Sequence, residues 1–155
     1  MLRAGIIRPI SSEWSFPVVT ATKKDGKPRF CVDYRLLNQR MFADRWPLPK
    51  QLEIFDEMKS AVVFTGLDFF TGYWQFLMAL RCVKYTTFTC RYGTYVWNVM
   101  SMGLMNAPST FQRAMENLLG DLPFVRVYLD DIIVFFDSIE EHLEHLEIVG
   151  PHRRI

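Results

Sequence analysis

Cysteine is scarce in this chain and follows no pattern. Cys31, Cys82 and Cys90 form no CxxC pair and have no zinc-type spacing. That excludes a disulfide framework and a thiolate metal knuckle. An odd number of thiols suits a reducing compartment, so an intracellular, non-secreted location is expected. Long apolar runs are also missing. No segment nears the ~18 residues of a membrane span, and the opening stretch MLRAGIIRPI has too short an apolar core for a signal peptide. No membrane partner is expected. Internal repeats and low-complexity tracts are absent, which excludes solenoid and linker-like architectures. Histidine is limited to three residues. Two of them, in EEHLEHL, lack the HExxH order of a zinc protease, and that run reads as a solvated helix face.

What is present is apolar bulk. Half of the 155 residues are hydrophobic and 15% are aromatic, enough for one domain with a real core. The formal net charge of +1 hides an asymmetry. Residues 1–50 hold ten Lys/Arg against four Asp/Glu, and residues 51–155 hold eight against thirteen. A basic first third and an acidic remainder suggest two tasks, holding an anionic partner and holding cations.

Residues 17–22 and 29–33 are rich in Val, Thr and Phe, and the turn chemistry of KKDGKP between them predicts a hairpin. RWPLPKQLEIFDEMKSA predicts a short helix with Leu52, Phe55 and Met58 on its apolar side. VVFTGLDFF reads as a strand, and TTFTCRYGTYVWNVM as a second hairpin turning at Tyr92-Gly93. NAPSTFQRAMENLLG is the clearest helix. Asn106 or Ser109 can cap it, Pro108 suits its first turn, Gly120 can end it, and Phe111, Ala114, Met115 and Leu118 form its apolar face. Residues 124–128 and 132–136 predict strands. In DSIEEHLEHLEIVG, Ser138 and Glu141 fit a capping box, with Ile139, Leu143 and Leu146 along one side. The order suggests an α+β sheet with helices on one face and a final strand missing. Trp14, Trp74 and Trp97 could stack on bases, but packing is the commoner use of such residues.

The run VRVYLDDIIVFF poses the functional question. Adjacent strand residues point to opposite faces, so a straight strand would drive one of Asp130 and Asp131 into a core. A tight turn at YLDD exposes both instead. Asp68 ends VVFTGLDFF in a similar apolar setting. Two unit charges ~4 Å apart repel by roughly 4 kcal/mol at an effective dielectric near 20. A convergent cluster of this kind calls for cations. Oxygen ligands alone suit Mg²⁺ shared with substrate phosphates, the arrangement of in-line phosphoryl transfer.

YLDD at 128–131 resembles the catalytic box of reverse transcriptases. The likeness runs from about Gly5 to Leu146 and is greatest to gypsy-like LTR retrotransposon polymerases. It rests on GIIRPISSEWSFPVV, KKDGKPRFCVDYRLLN, LDFFTGYWQF, FTCRYGTYVWNVM, GLMNAPSTFQRAM, VYLDDIIVF and EEHLEHL, which follow one another in the family's order. The resemblance implies an incomplete ferredoxin-like palm with partial fingers: fingers over 1–62, palm over 63–149 with 81–105 adding a hairpin, and a tail over 150–155. It implies Asp68, Asp130 and Asp131 as catalytic carboxylates holding two Mg²⁺ ions, with Mn²⁺ as a substitute. Tyr73 is similar to the gate beneath the nucleotide sugar. Arg29, with Lys23 or Lys24, is similar to the basic set that meets the triphosphate, and Gly103 borders the nucleotide. Asn106, Pro108 and Tyr128 fall where the family contacts template and primer. Gln112 reads equally as template-facing and as a packing residue. The implied partners are an RNA or DNA template with its primer, deoxynucleotides, and thumb, connection and RNase H regions that this chain lacks. Ser101, Met102, Met105 and Asp137 depart from the family's usual residues. The implied activity is RNA-directed DNA polymerisation by a fragment expected to work poorly alone. A non-catalytic relic or nucleic-acid-binding module is the alternative.

Overall fold

The computed structural model describes residues 1–22, 26, 28–69 and 71–150. In chain order the elements are β1 Ile7–Pro9, β2 Phe16–Thr22, β3 Pro28–Val32, α1 Arg35–Asn38, α2 Gln51–Glu57, β4 Val63–Asp68, α3 Leu80–Val83, β5 Phe88–Cys90, β6 Gly93–Trp97, α4 Ala107–Leu119, β7 Val125–Tyr128, β8 Asp131–Phe136 and α5 Ile139–Val149. They form a mixed α+β architecture in two units, Met1–Ala43 with Tyr73–Ala107, and Asp44–Gly72 with Pro108–Ile155. Residues 44–62 pack in the second unit, because α2 sets Ile54 and Met58 against Phe135 of β8.

The first unit is built on a five-stranded sheet in the order β1-β6-β5-β2-β3. The two strands of the expected basic hairpin pair antiparallel, with Val18 opposite Val32 and Ala21 opposite Arg29. The second hairpin turns one residue earlier than expected. Cys90 pairs with Gly93, so Arg91 and Tyr92 form the loop, and Gly93 takes φ 131°. The core is aromatic: Phe16, Tyr34, Phe88 and Trp97 are buried. The Tyr34 hydroxyl donates to Thr86 O at 2.8 Å, and burial pushes its pKa well up. Trp74 leans on Trp97 and Trp14 meets Tyr85 edge to face, so these rings serve packing.

The second unit holds a three-stranded sheet in the order β4-β8-β7, with both flanking strands antiparallel to β8. β4 and β7 thus run parallel with a strand between them, which is a split β-α-β joined through α4. Phe111, Met115 and Leu119 of α4 are fully buried. The residue that completes this stripe is Leu119 rather than the expected Leu118, which is exposed. On α2 the buried residue is Ile54, joined four positions on by Met58 at the C-cap, while Leu52 and Phe55 face outward.

On α5 the expected apolar side is the wrong one. Ser138 caps the helix by accepting from the Glu141 N–H, but Ile139 and Leu143 are exposed. The inward stripe is His142, His145, Leu146 and Val149. His142 is 2% exposed and its Nε2 meets Thr65 Oγ1 of β4 at 2.8 Å. The His145 ring lies parallel to Phe124 with centroids 3.6 Å apart and edge-on to Phe136. Histidines with aromatic and hydroxyl neighbours pack as core residues here, so EEHLEHL is not a solvated face.

Candidate active site

The carboxylates come together through strand register. β4 and β8 pair from Val63↔Phe136 to Asp68↔Asp131, so Asp68 and Asp131 are direct cross-strand neighbours at the ends of their strands. Directly opposed residues share a face of the sheet, and like charges there repel. β7 and β8 pair through Tyr128↔Asp131, which leaves Leu129 and Asp130 as a two-residue turn. The turn solves the problem that the sequence posed: Asp131 is exposed and Asp130 half-buried, and neither enters the core between the strands.

Asp130 carries the unusual electrostatics. Its Oδ1 is buried without a hydrogen-bond partner. Burial first, then the charges of Asp68 and of Asp131, push its pKa above the usual carboxylate range. A buried polar atom left unpaired is costly, and one beside two further carboxylates is a natural seat for a cation. Among the described residues, no three His, Cys, Asp or Glu side chains already stand at metal-holding spacing. The donor set fits a hard divalent ion in chemistry, with side-chain rotation needed to close it.

Backbone strain flanks the same carboxylates. Among the described residues, the non-glycine positions with positive φ are Thr71, at 55°, and Leu129, at 53°. Thr71 follows Asp68 by three positions and Leu129 precedes Asp130. A β-branched residue at positive φ is a genuine outlier, and such strain persists only where the surroundings over-determine it. At Thr71 the next residue shows one constraint. A Cβ on Gly72 would come within 3.0 Å of the Phe111 ring, tighter than ordinary packing, so a larger residue there would have to push that ring aside.

At Leu129 the constraint is Gln112. This side chain is fully buried on α4. Its Oε1 accepts the Leu129 N–H at 2.7 Å, and its Nε2 donates to Val127 O at 3.0 Å and to Glu116 Oε1 at 2.8 Å. Tyr128, between the two pinned positions, is partly buried against the Ile54, Met58 and Phe135 cluster. Pro108 lies in the first turn of α4.

The remaining candidates belong to the first unit. Arg29 is exposed on β3. Lys23 and Lys24 lie outside the described residues. Tyr73 is partly buried in a 3₁₀ turn over Gly72–Gln75. Gly103 has φ 93° and is exposed, a conformation that favours glycine. Its carbonyl accepts from Asn38 Nδ2 at 2.9 Å, and Asn38 Oδ1 accepts the Met105 N–H. Asn106 donates to Phe42 O at 2.8 Å. Sequence reasoning missed Asn38, Thr71, Glu116 and the inward His142. An Asn, a Thr and a Glu give no sign of such use in one dimension, whereas the i, i+3, i+7 spacing of His142, His145 and Val149 does allow an inward face.

The chain resembles known proteins over nearly its whole length. Residues 21–152 match the family model described as reverse transcriptase (RNA-dependent DNA polymerase). The retrovirus-related Pol polyprotein from transposon 297 of Drosophila melanogaster is 38% identical over 96% of this chain, which spans 15% of that protein. An RNA-directed DNA polymerase homolog of Oenothera berteroana is 39% identical over 82% of this chain and 93% of its own length. Among solved structures, a foamy viral protease-reverse transcriptase in complex with double-stranded DNA superposes with a TM-score of 0.85 at 28% identity. That match covers 96% of this chain and 26% of the other. By sequence and by fold alike, the chain belongs to the reverse transcriptase family.

Proposed function

We propose that this chain carries the nucleotidyl-transfer site of an RNA-directed DNA polymerase. The observation that supports the reading best is the buried, unpartnered Oδ1 of Asp130 beside the opposed Asp68 and Asp131. In this reading Asp68, Asp130 and Asp131 hold divalent ions, Mg²⁺ or in its place Mn²⁺. Such ions, when bound, supply Lewis-acid polarisation of a primer hydroxyl and of nucleotide phosphates. The second unit then acts as palm and the first as fingers. Arg29 offers a planar fork suited to phosphate oxygens, with Lys23 or Lys24 adding charge. The Tyr73 ring sits under the sugar, and Gly103 admits close approach of the backbone to the nucleotide. The partners are a primer annealed to an RNA or DNA template, and deoxynucleotides. The foamy viral relative binds double-stranded DNA, which supports a duplex ligand here.

The test is extension of a DNA primer on an RNA template with Mg²⁺ and all four deoxynucleotides. Extension that disappears in Asp130→Asn and in Asp68→Asn is expected. Extension that survives either change would reject the assignment.

A further inference from the structure

Glu116 is placed oddly for a carboxylate. It is half-buried on α4, and among the described residues no Lys, Arg or His pairs with it. Its two oxygens are instead spent on neutral donors. Oε1 accepts from Gln112 Nε2 at 2.8 Å, and Oε2 accepts from Trp46 Nε1 at 2.8 Å. Arginines in the same unit are engaged elsewhere. Arg113 pairs with Asp44 at 2.9 Å and lies over the Trp46 ring, and Arg126 pairs with Glu57. An acceptor-only group used in this way fixes the direction of its donors.

The donor that matters is Gln112. Its amide has the same shape when turned over but the opposite polarity. In the orientation found, both Nε2 hydrogens meet acceptors, Glu116 Oε1 and Val127 O, and Oε1 meets the Leu129 N–H. Turned over, Nε2 would face the Leu129 N–H, donor against donor, and Oε1 would face a carboxylate. Glu116 therefore holds Gln112 by a charge-assisted bond, and Gln112 holds a leucine in a left-handed conformation one residue before Asp130.

We propose that Glu116 is a positioning residue for the carboxylate turn: through Gln112 it fixes the backbone of Leu129 and with it the direction in which Asp130 is aimed. The inference rests on the reading of Asp130 as a metal-holding carboxylate. Trp46 is the outer anchor, since its Nε1 keeps the Glu116 carboxylate from swinging into the adjoining 270 Å³ cavity, which Glu116 itself lines.

The test uses the Leu129 amide as reporter. In Glu116→Gln a donor NH₂ replaces one of the two acceptor oxygens, so either Gln112 or Trp46 faces a donor instead of an acceptor. Hydrogen exchange at Leu129, measured against the buried Val134 amide of β8, should accelerate roughly tenfold. Mn²⁺ affinity, measured with the metal alone, should fall several-fold. Trp46→Phe keeps the ring and removes only the donor, and should move both readouts the same way by less. If Leu129 and Val134 change together, or neither changes, Glu116 is merely structural and the proposal fails. It also fails if Leu129 exchange accelerates while Mn²⁺ affinity holds. Asp130→Asn separates the two readings. Mn²⁺ binding that persists in that variant rejects the metal-holding role of Asp130, while the exchange ratio still decides whether Glu116 governs the turn.

Discussion

A carboxylate at position 130 is costly to the fold, and the cost has a sign that can be measured. Burial and two acidic neighbours raise its pKa, so the charged form is disfavoured in the native state. The penalty is absent in acid, where Asp130 is neutral in both states, grows as pH rises from the ordinary value of 3.8 toward its raised pKa, and is complete above that. Asp130→Asn should therefore stabilise the chain at pH 7, read as a rise in Tm. The difference should vanish near pH 3. Adding Mn²⁺ should raise the Tm of the parent and leave the variant unmoved. Asp33 has the opposite sign. The Arg35 side chain and then the Arg35 backbone N–H donate to its carboxylate and hold its pKa at about 2, below the ordinary 3.8. Its contribution is present above the ordinary value and is lost as pH falls through about 2. Asp33→Asn should lower the urea midpoint at pH 6, and the difference should shrink as pH falls toward 2.

At the scale of elements, α4 and α5 differ in how much the chain discloses. The stripe of α4 was legible because Phe111 and Met115 are large, apolar and spaced at i and i+4. α5 offers two candidate stripes of equal periodicity, and hydropathy favours the wrong one. Packing against Phe124 and Phe136, with a hydroxyl from Thr65, decides for the histidines, and those partners come from distant strands. The carboxylate hairpin was legible for a related reason, since two adjacent charges in an apolar run demand a turn. The strain at Thr71 and Leu129 was not, because φ is set by what surrounds a residue. Two substitutions check the faces. Met115→Ala should cost about 2–5 kcal/mol. Leu143→Ser, at an exposed apolar position of α5, should stay within ~0.5 kcal/mol. Urea unfolding measures both, and a large loss in Leu143→Ser would place α5 the other way round.

At the scale of the molecule, the two units sharpen the charge asymmetry that the linear halves blur. The first unit carries eleven Lys/Arg against three Asp/Glu, a net of +8, and the second seven against fourteen, a net of −7. Nucleic acid is a polyanion, and its affinity for basic surface falls with salt in proportion to the phosphates neutralised. If the chain acts on a primer–template as proposed, the first unit is the better electrostatic match for a duplex, and the carboxylates of the second repel one until cations are present. Removing basic residues from the first unit should act on binding, and removing carboxylates from the second on chemistry. Arg8→Ala with Arg29→Ala should weaken primer–template binding and reduce the salt slope by about one for each lost phosphate contact. Asp130→Asn should leave that slope unchanged and, without divalent ions, bind as tightly as the parent or more so. Fluorescence anisotropy of a labelled primer–template across a salt series reads both. A slope unmoved by the double arginine change would show that the excess positive charge of the first unit does not face the nucleic acid.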